Sequence, residues 1–529
     1  MDTLTRRAFL QAGGIGVLLA GGLRPARAAV TAQAPFALGI ASGEPTHQST
    51  VLWTRLATGL ANGGGMAGKP IQVKWQIASD PGMSHIVKRG VTVAHPASAH
   101  AVRVPISGLP PDAWYWYQFG VGSDWSPIGR TRTFPKPGSD ARRMKFAFVS
   151  CQHFESGFYT AYEHLAQEDL DFVVHLGDYI YEGGASAGGV RQHIGEEIVT
   201  LADYRARHAQ YRSDPHLQAA HAQFPFIVTW DDHEVENNYA GAISEDNDIP
   251  GEAPVPSEEF LRRRADAYQA YFEHMPLAPP APAGSDFRLF RRFRFGRLAE
   301  LNVLDTRQFR TNQPCGGPAD QLPPPGDDLA FACGGELDPA ATMTGAKQED
   351  WLLRGLRSSD ARWNVIAQQV MMSRVNFAPT APVPLYNMDA WDGYAAARNR
   401  ILGYVRDHTV PNAVVLTGDI HSSWAADLRA NFDVAGSPVV ATEFVGTSIT
   451  SVFAPEFVPA IQAALRHPSN GHVKFFEGLL RGYVRCEVDE DRWRADFRAV
   501  STVLAPTSPI STLASFEVRS GEPGARPVV

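Results

Sequence analysis

Four short polar clusters stand directly after apolar runs in the second part of the sequence. They are Cys151-Gln152-His153, Gly177-Asp178 with the residues up to Glu182, Asp231-Asp232-His233 and Asp419-Ile420-His421. The runs before them, such as Phe146-Ala147-Phe148-Val149-Ser150, are short and apolar enough to be buried strands. Ligand sites in open α/β sheets form at the carboxyl ends of the strands. The sequence therefore predicts that the four clusters meet in one cleft.

The side chains in these clusters are of types that hold metal ions. Carboxylates are hard oxygen ligands for Ca²⁺, Mg²⁺ or Mn²⁺, and histidine suits iron and zinc. Tyrosinate and thiolate favour a strongly Lewis-acidic ion such as Fe³⁺. The predicted donors are Cys151, Asp178, Tyr181, Asp232, Asp419 and His421. A mixed set indicates more than one metal ion, and two adjacent ions can activate water and clamp a phosphoryl group.

Each cluster taken alone has a simpler explanation. A Gly-Asp pair such as Gly177-Asp178 is a common turn after a strand, and Asp232-His233 could cap a helix. A lone cysteine such as Cys151 is more often a buried apolar side chain than a ligand. The metal-site interpretation depends on the four clusters occurring together, in order, and each at a predicted strand end.

The elements that must position these clusters follow an α/β pattern. Apolar strands are predicted near residues 146–150, 171–176, 224–230, 287–294, 298–304, 362–368 and 412–417. Helices are predicted between them, near residues 157–167, 201–222, 257–273, 346–358 and 391–406. This alternation predicts a layered α/β domain over residues 144–515, with helices outside a sheet.

The region before that domain, residues 31–138, has a different pattern. Short alternating runs such as Val73-Lys74-Trp75-Gln76-Ile77 lie between Gly, Pro and Asp turns, which predicts a small β-sandwich. The stretch Val104-Pro105-Ile106-Ser107-Gly108-Leu109 resembles fibronectin type III modules. A linker is predicted at Pro135, Pro137 and Gly138.

The first 28 residues have the order of an export signal. Thr5-Arg6-Arg7-Ala8-Phe9-Leu10 is followed by an apolar run and then by Ala26-Arg27-Ala28, which matches a charged region, a hydrophobic region and a cleavage site. The paired arginines resemble the twin-arginine signal, whose export machinery carries folded proteins. We therefore expect residues 1–28 to be removed, giving a periplasmic or secreted protein without a transmembrane anchor. The alternative is an N-terminal anchor that faces the lipid.

Composition limits the classes of partner. The chain has 529 residues and a formal net charge of −8, and an acidic surface repels nucleic acid at long range. Specific nucleic-acid binding is therefore not expected. Cys315 and Cys333 flank a loop rich in Pro, Gly and Asp, and they could pair in an oxidising compartment or remain free thiols.

Longer motifs around the four clusters resemble the PhoD-like alkaline phosphatases and phosphodiesterases of the metallophosphoesterase superfamily. The resemblance covers nearly the whole chain. The stretches that carry it are Ser150-Cys151-Gln152, residues 175–182 (HLGDYIYE), 204–211 (YRARHAQY) and 230–239 (WDDHEVENNY), Asp305-Thr306-Arg307-Gln308, Trp391-Asp392-Gly393-Tyr394 and residues 416–421 (LTGDIH).

This resemblance implies an Fe³⁺ ion with Ca²⁺ ions beside it. Asp178 takes the position of the bridging carboxylate, while Cys151, Tyr181 and His421 take positions on the iron side. Asp419 takes a position that is either shared between the iron and calcium sides or on the calcium side alone. Two departures from the wider superfamily match the PhoD-like branch. Cys151 stands in place of an Asp-x-His motif, and Asp419-Ile420-His421 replaces the end of a Gly-His-x-His motif.

The resemblance also suggests roles for residues around the second Asp-His pair. Asp232 stands where the wider superfamily has the Asn of Gly-Asn-His, and His233 is expected to donate a proton to the leaving oxygen or to orient the phosphate. Asn237 or Asn238 is a candidate for a further calcium ligand. Arg374 is a candidate phosphate-clamping arginine, or alternatively a surface salt-bridge residue.

The expected function is hydrolysis of phosphate monoesters and diesters by a metal-activated hydroxide that attacks phosphorus directly. The substrates would be small-molecule or lipid phosphate esters. One alternative is a phospholipase D-like member of the same family, which would use the same chemistry beside an apolar groove. The other is a non-catalytic exported binding protein that uses the β-sandwich.

Overall fold

The computed structural model describes residues 35–59, 64–66, 68–248, 253–315 and 328–528. The predicted signal peptide, residues 1–28, lies outside the described residues. Two β-sheets pack face to face in the middle of the C-terminal part, which follows residue 144, and helices cover the outer face of each sheet. The prediction of a layered α/β domain behind a β-rich N-terminal domain is confirmed.

Strands occur along the whole described chain. In chain order they are β1 (Ile40–Gly43), β2 (Ser49–Arg55), β3 (Ile71–Ala78), β4 (Ile86–Ala94), β5 (Ala101–Ser107), β6 (Trp114–Val121), β7 (Asp124–Trp125), β8 (Gly129–Arg132), β9 (Met144–Val149), β10 (Phe172–His175), β11 (Pro225–Val228), β12 (Arg291–Phe295), β13 (Ala299–Val303), β14 (Leu329–Phe331), β15 (Trp363–Ala367), β16 (Leu385–Asn387), β17 (Ala413–Thr417), β18 (Ser423–Arg429), β19 (Val439–Val445), β20 (Val473–Glu477), β21 (Arg481–Val488), β22 (Arg492–Val500), β23 (Ile510–Arg519) and β24 (Glu522–Pro527).

The helices lie mostly between strands of the C-terminal part. They are α1 (Thr160–Leu165), α2 (Leu201–Arg212), α3 (Pro215–Gln223), α4 (Ser257–His274), α5 (Gly345–Ser358), α6 (Ala395–Asp407) and α7 (Val458–Leu465). The helix predicted over residues 201–222 is two helices. Asp214 caps the second one by accepting hydrogen bonds from the backbone N–H groups of His216 and Leu217, and Pro215 begins it.

The two large sheets differ in strand order but share a parallel centre. The first runs β24-β23-β22-β21-β9-β10-β11-β1-β2-β5, and the second runs β12-β13-β15-β17-β19-β18-β20. Strands β9, β10 and β11 pair in parallel, as do β13, β15, β17 and β19. Strands buried on both faces are continuously apolar, which explains the apolar runs in the sequence.

The core between the sheets is built from their facing apolar side chains. Phe146 of β9 and Phe172 of β10 stack with their ring centres 5.0 Å apart. They belong to one buried cluster with side chains of the second sheet such as Val365, Val414 and Phe444. Helices α2 and α4 contribute to the apolar layer outside the first sheet, and α5 and α6 contribute to the layer outside the second.

The N-terminal strands form two layers, and one of these layers is continuous with the first large sheet. Strand β1 pairs in parallel with β11, with Ser42 opposite Pro225 and Gly43 opposite Phe226. Strands β2 and β5 then extend the same sheet. The facing layer is made of β4-β3-β6-β7 with β8 beside β6. Side chains of both layers, including Leu52 and Tyr117, share one apolar cluster.

A small two-stranded sheet is separate from the two large sheets. Its strands β14 and β16 pair antiparallel. Close by in sequence, Cys315 and Cys333 form a disulfide, with their Cα atoms 5.5 Å apart. Of the two alternatives left open for these cysteines, the structure has the bonded one. Among the helices of the described residues, none combines the length and the apolar character needed to cross a membrane.

Candidate metal centre

The first three predicted clusters meet because strands β9, β10 and β11 end level with one another. Val149 pairs with His175, and His175 pairs with Val228. Gly177 lets the second loop pass close to the third, since a Cβ added at its φ of +111° would lie 2.5 Å from the Cβ of Asp231. Glu234 joins the same loops by accepting hydrogen bonds from the backbone N–H groups of Asp178 (3.1 Å), Tyr179 (2.7 Å) and Asp231 (2.8 Å).

The fourth cluster reaches this place from the other large sheet, after β17. Four of the predicted ligand residues have left-handed backbone conformations: φ is 59° at Cys151, 56° at Asp178, 63° at Asp419 and 55° at His421. Such conformations of non-glycine residues are strained by about 1–3 kcal/mol each and persist only where the surrounding structure holds them. The surrounding hydrogen bonds hold them, as when Cys151 N–H donates to Gly177 O at 3.1 Å.

On one side of the centre, a thiol, a phenol, an imidazole and a carboxylate converge. The Tyr181 hydroxyl donates a hydrogen bond to Asp178 Oδ2 at 2.7 Å and lies 3.2 Å from His421 Nε2. Cys151 Sγ, an Asp178 oxygen and a His421 nitrogen lie within 4.8 Å of one another. Ser451 Oγ, which was not predicted, lies 2.7 Å from the Tyr181 hydroxyl oxygen. Cys151, Tyr181 and His421 are the residues that were predicted on the iron side, and Asp178 is the predicted bridging carboxylate.

On the other side, carboxylates dominate. Asp178, Asp232 and His233 form one group of closely spaced donors, and Asp231, Asp232 and Asp419 form another, each with its ligand atoms within 4.8 Å. Asp178 belongs to the group on each side of the centre, and Asp232 belongs to both carboxylate groups. The structure therefore brings the predicted metal ligands and His233 together and adds Asp231 to them.

Three carboxylate oxygens test whether these residues suit metal ions. Asp178 Oδ1, Asp231 Oδ2 and Asp232 Oδ1 are buried and have no hydrogen-bond partner among the described residues. Leaving a buried carboxylate oxygen unpaired is unfavourable. Because these oxygens lie beside a thiol and imidazole nitrogen donors, the set suits a softer ion on one side and hard oxygen-binding ions on the other.

Electrostatics leads to the same interpretation. Burial raises the pKa of the Asp178 and Asp419 carboxyls well above their usual range. Burial also raises the pKa of Asp231 to about 7 despite the opposing charge of Arg307. At Asp232 burial is outweighed, because Arg307 and His233 lower the pKa of that carboxyl. The side chains alone supply too little positive charge for this many carboxylates, and a bound cation would supply the rest.

His233 is held by a carboxylate that the sequence interpretation did not assign. Its Nδ1 lies 2.7 Å from Glu182 Oε2, and Glu182 Oε1 accepts the Asn237 backbone N–H at 2.7 Å. The imidazole ring lies 4.1 Å from the Tyr181 ring, centre to centre. Burial lowers the pKa of His233, but Glu182 and Asp232 outweigh it and raise that pKa well above its ordinary value. The imidazole can therefore hold a proton at the edge of the centre.

Arg307 is a further residue to which the sequence interpretation gave no role. It lies just beyond strand β13, in the Asp305-Thr306-Arg307-Gln308 motif, and its side chain is fully buried. Its guanidinium contacts Asp231, Asp232, Asp389 and Asp419. The available signal was a charged motif directly after a predicted strand, the same signal that identified the four clusters.

Arg374 lies away from the cavity over the centre, whereas the two candidate asparagines lie beside it. Arg374 pairs with Asp433 (2.5 Å) and Asp392 (3.8 Å) and is not among the described residues that line the cavity over the centre. That arrangement matches the salt-bridge alternative. Asn237 and Asn238 both line the cavity. The backbone N–H of Asn238 donates to Asp232 Oδ2 at 2.7 Å.

A cavity of about 510 Å³ opens over the centre. Asp178, Asp232, His233, Asp419 and His421 line its polar end. Its other walls are largely apolar and include Leu329, Phe377, Leu385, Trp424, Val452, Phe453, Phe457 and Ile461. A phosphate group at the polar end would therefore have room for an apolar substituent beside it.

Comparisons with known proteins agree along the whole chain. The family described as PhoD-like phosphatase matches residues 146–497, and the PhoD-like phosphatase N-terminal domain matches residues 22–135. Alkaline phosphatase D of Bacillus subtilis is 46% identical over 544 residues, covering 100% of this chain and 90% of that protein. A solved structure of PhoD is 46% identical and superposes with a TM-score of 0.86 over 94% of this chain and 92% of that one. The chain therefore belongs to the PhoD-like phosphatase family and is an enzyme, a phosphatase.

Proposed function

We propose that this enzyme hydrolyses phosphate monoesters and diesters at a metal centre of Fe³⁺ and Ca²⁺. Cys151, Asp178, Tyr181 and His421 would hold the iron, and Asp178, Asp232 and Asp419 would hold calcium. The observation that carries the proposal is that these donors form overlapping groups with unpaired, buried carboxylate oxygens at the polar end of the cavity. When bound, such ions lower the pKa of the attacking water and neutralise the charge of the phosphoryl group.

His233 is suited to protonate the leaving oxygen. Because Glu182 engages Nδ1, the second ring nitrogen, Nε2, is left to carry a proton toward the cavity that His233 lines. The carboxylate also favours the protonated ring electrostatically. A proton held at Nε2 can pass to the ester oxygen as its bond to phosphorus breaks, so that the product leaves as a neutral alcohol.

The direct test combines metal content with turnover. Protein exported by its native host is analysed for metals by mass spectrometry, and hydrolysis of a bis-aryl phosphate is followed with and without added Ca²⁺. We expect iron near one per chain and turnover that depends on calcium. Zinc or manganese with turnover that ignores calcium would overturn the metal assignment and leave the phosphatase activity standing.

The apolar wall of the cavity favours a second candidate, a phospholipase D-like activity on lipid phosphodiesters. Leu329, Phe377, Val452, Phe457 and Ile461 lie on the same cavity as the predicted metal ligands. An acyl-bearing arm of a phospholipid could lie against them while its phosphate occupies the polar end. Rates on phosphatidylcholine, a bis-aryl phosphate and a simple aryl phosphate separate the candidates. Preference for phosphatidylcholine would favour the lipid substrate.

The third expectation, a non-catalytic binding protein, is not retained because the chain is a phosphatase. Nor do we propose a nucleic-acid partner, since the net charge is −8. The partners that remain are small-molecule or lipid phosphate esters and the export machinery.

We also propose that the enzyme is exported by the twin-arginine pathway to the periplasm or the medium. The Arg6-Arg7 pair supports the route, and the Cys315–Cys333 disulfide fits an oxidising compartment. Replacement of both arginines by lysine is expected to retain the enzyme in the cytoplasm. Unchanged secretion of that variant would contradict the proposed route.

A further inference from the structure

Arg307 lies against the carboxylates of the centre and is not among the described residues that line the cavity. Its Nη2 lies 3.2 Å from Asp419 Oδ1 and 3.5 Å from Asp232 Oδ2, and its Nε donates to Asp231 Oδ1. The side chain is 0% exposed. One planar guanidinium therefore reaches every carboxylate of the Asp231, Asp232 and Asp419 group.

The contacts are divided between the two oxygens of the carboxylates in a regular way. Arg307 engages Oδ1 of Asp231 and leaves Oδ2 buried without a partner among the described residues. At Asp232 it approaches Oδ2, which also accepts the Asn238 N–H, and Oδ1 is the oxygen that no described residue pairs with. Fixing one oxygen fixes the rotation of the whole carboxylate, and the other oxygen then has a set direction.

Arg307 is itself held from behind. Its Nη1 donates to Asp389 at 2.9 Å, and Asp389 is shared with the buried Arg310 at 2.6 Å. The backbone N–H of Arg307 donates to Asp305 Oδ1 at 3.1 Å. The guanidinium therefore cannot turn away from the acidic group without breaking buried, charge-assisted hydrogen bonds.

We propose that Arg307 is a positioning residue that orients Asp231, Asp232 and Asp419 for cation binding. This inference rests on the proposed metal-dependent function. An arginine suits the task because its rigid fork of donors can direct several carboxylates at once, whereas a lysine is a point charge on a flexible stem. The role concerns orientation, since positive charge alone at this position would oppose a cation.

The substitution Arg307→Lys separates these effects because it keeps the charge and removes the fork. The full chain is dialysed to equilibrium against buffered free Ca²⁺, and bound calcium is counted. We expect Arg307→Lys to bind the same number of ions with an affinity lower by about tenfold, the effect of losing one directed charge-assisted hydrogen bond.

Arg398→Lys is the matched control. Arg398 is also 0% exposed and pairs with a buried aspartate, Asp392, in another part of the molecule. It is expected to leave calcium affinity unchanged whatever it does to stability. Asp389→Asn is a second variant, which loosens Arg307 from behind without altering a carboxylate of the group, and a smaller loss of affinity is expected.

The outcomes separate this inference from the proposed function. If the unmodified enzyme binds no calcium, the metal proposal fails and this inference fails with it. If the enzyme binds calcium and Arg307→Lys binds it equally well, only the positioning role of Arg307 is overturned. If Arg307→Lys does not fold, an unchanged affinity in Asp389→Asn has the same meaning.

Discussion

Two buried regions of this enzyme contain ionisable side chains with polar atoms that lack a hydrogen-bond partner among the described residues. One region is acidic and the other is basic. At the candidate metal centre, the atoms that lack a hydrogen-bond partner among the described residues are carboxylate oxygens of Asp178, Asp231 and Asp232. In the basic region, between α2, α3 and the sheets, the atoms without a described hydrogen-bond partner are nitrogens of His208, Arg212 and His221. The donor groups of the acidic region could hold a cation. In the basic region, burial lowers the pKa of His208 to about 3, which keeps that imidazole neutral.

The largest expected effect is at the carboxylate that both sides of the centre share. Asp178→Asn should lower turnover by about 10³-fold, the upper end for loss of one preorganised electrostatic group, and should reduce metal content. Steady-state kinetics and metal analysis of the same sample test this. Asp496→Asn, at a carboxylate paired with Arg485 and Arg494, serves as the control. Full metal content and turnover in Asp178→Asn would remove this residue from the centre.

Cys151→Ala tests the softer side alone. The variant should lose iron while it keeps calcium, with turnover lowered by about 10²-fold. Cys486→Ala is the matched control because Cys486 is the other buried free thiol of the described chain. A Cys151→Ala enzyme with full iron and full activity would show that the thiol is only a packed side chain.

Glu182→Gln sharpens the proton-transfer role of His233. Without the carboxylate, the protonated imidazole loses its main support, so esters with poor leaving groups should react about 10²-fold more slowly. Esters of nitrophenol, whose leaving oxygen needs no proton, should be affected far less. The ratio of the two rates is the measurement, and an equal loss on both substrates would contradict the role in proton transfer.

The smallest effect concerns the basic region. The pKa of His208 is lowered to about 3 by burial, so below pH 6.5 the unfolded chain binds a proton that the folded chain does not. Stability should therefore fall as the pH falls from 6.5. His208→Phe should reduce this loss in the free energy of unfolding by about 1 kcal/mol between pH 6.5 and pH 5.5. Urea unfolding at pH 7.5, 6.5 and 5.5 tests this, and identical slopes in the two proteins would contradict it.

The contrast between the regions also marks what could be predicted from the sequence. The predicted ligands, such as Cys151 and Asp178, could be identified from the sequence because each closely follows a run of apolar residues that forms a strand. Their convergence follows from parallel strands ending at one edge. The split of the predicted 201–222 helix was also signalled, by Asp214 and Pro215.

Other features depend on tertiary contacts that no local pattern contains. The reach of Arg307 to Asp231 spans 76 residues of sequence, and the Glu182–His233 contact spans 51. The burial of the histidines of the basic region also depends on distant partners, since His208 stacks on His274 of α4 and His221 stacks on Phe226 of β11. The left-handed backbone at Asp419 and His421 is likewise imposed by the surrounding fold.

The pairing of β1 with β11 determines how this enzyme can be divided. Without the N-terminal strands, β11 would become the edge of the catalytic sheet, and all four of its residues, Pro225–Val228, are buried in the intact protein. An exposed apolar edge offers unpaired backbone groups to strands of other chains. By covering this edge, the N-terminal strands are expected to prevent self-association of the catalytic sheet. A truncated chain that begins at residue 144 is expected to accumulate as insoluble aggregate rather than as a smaller enzyme.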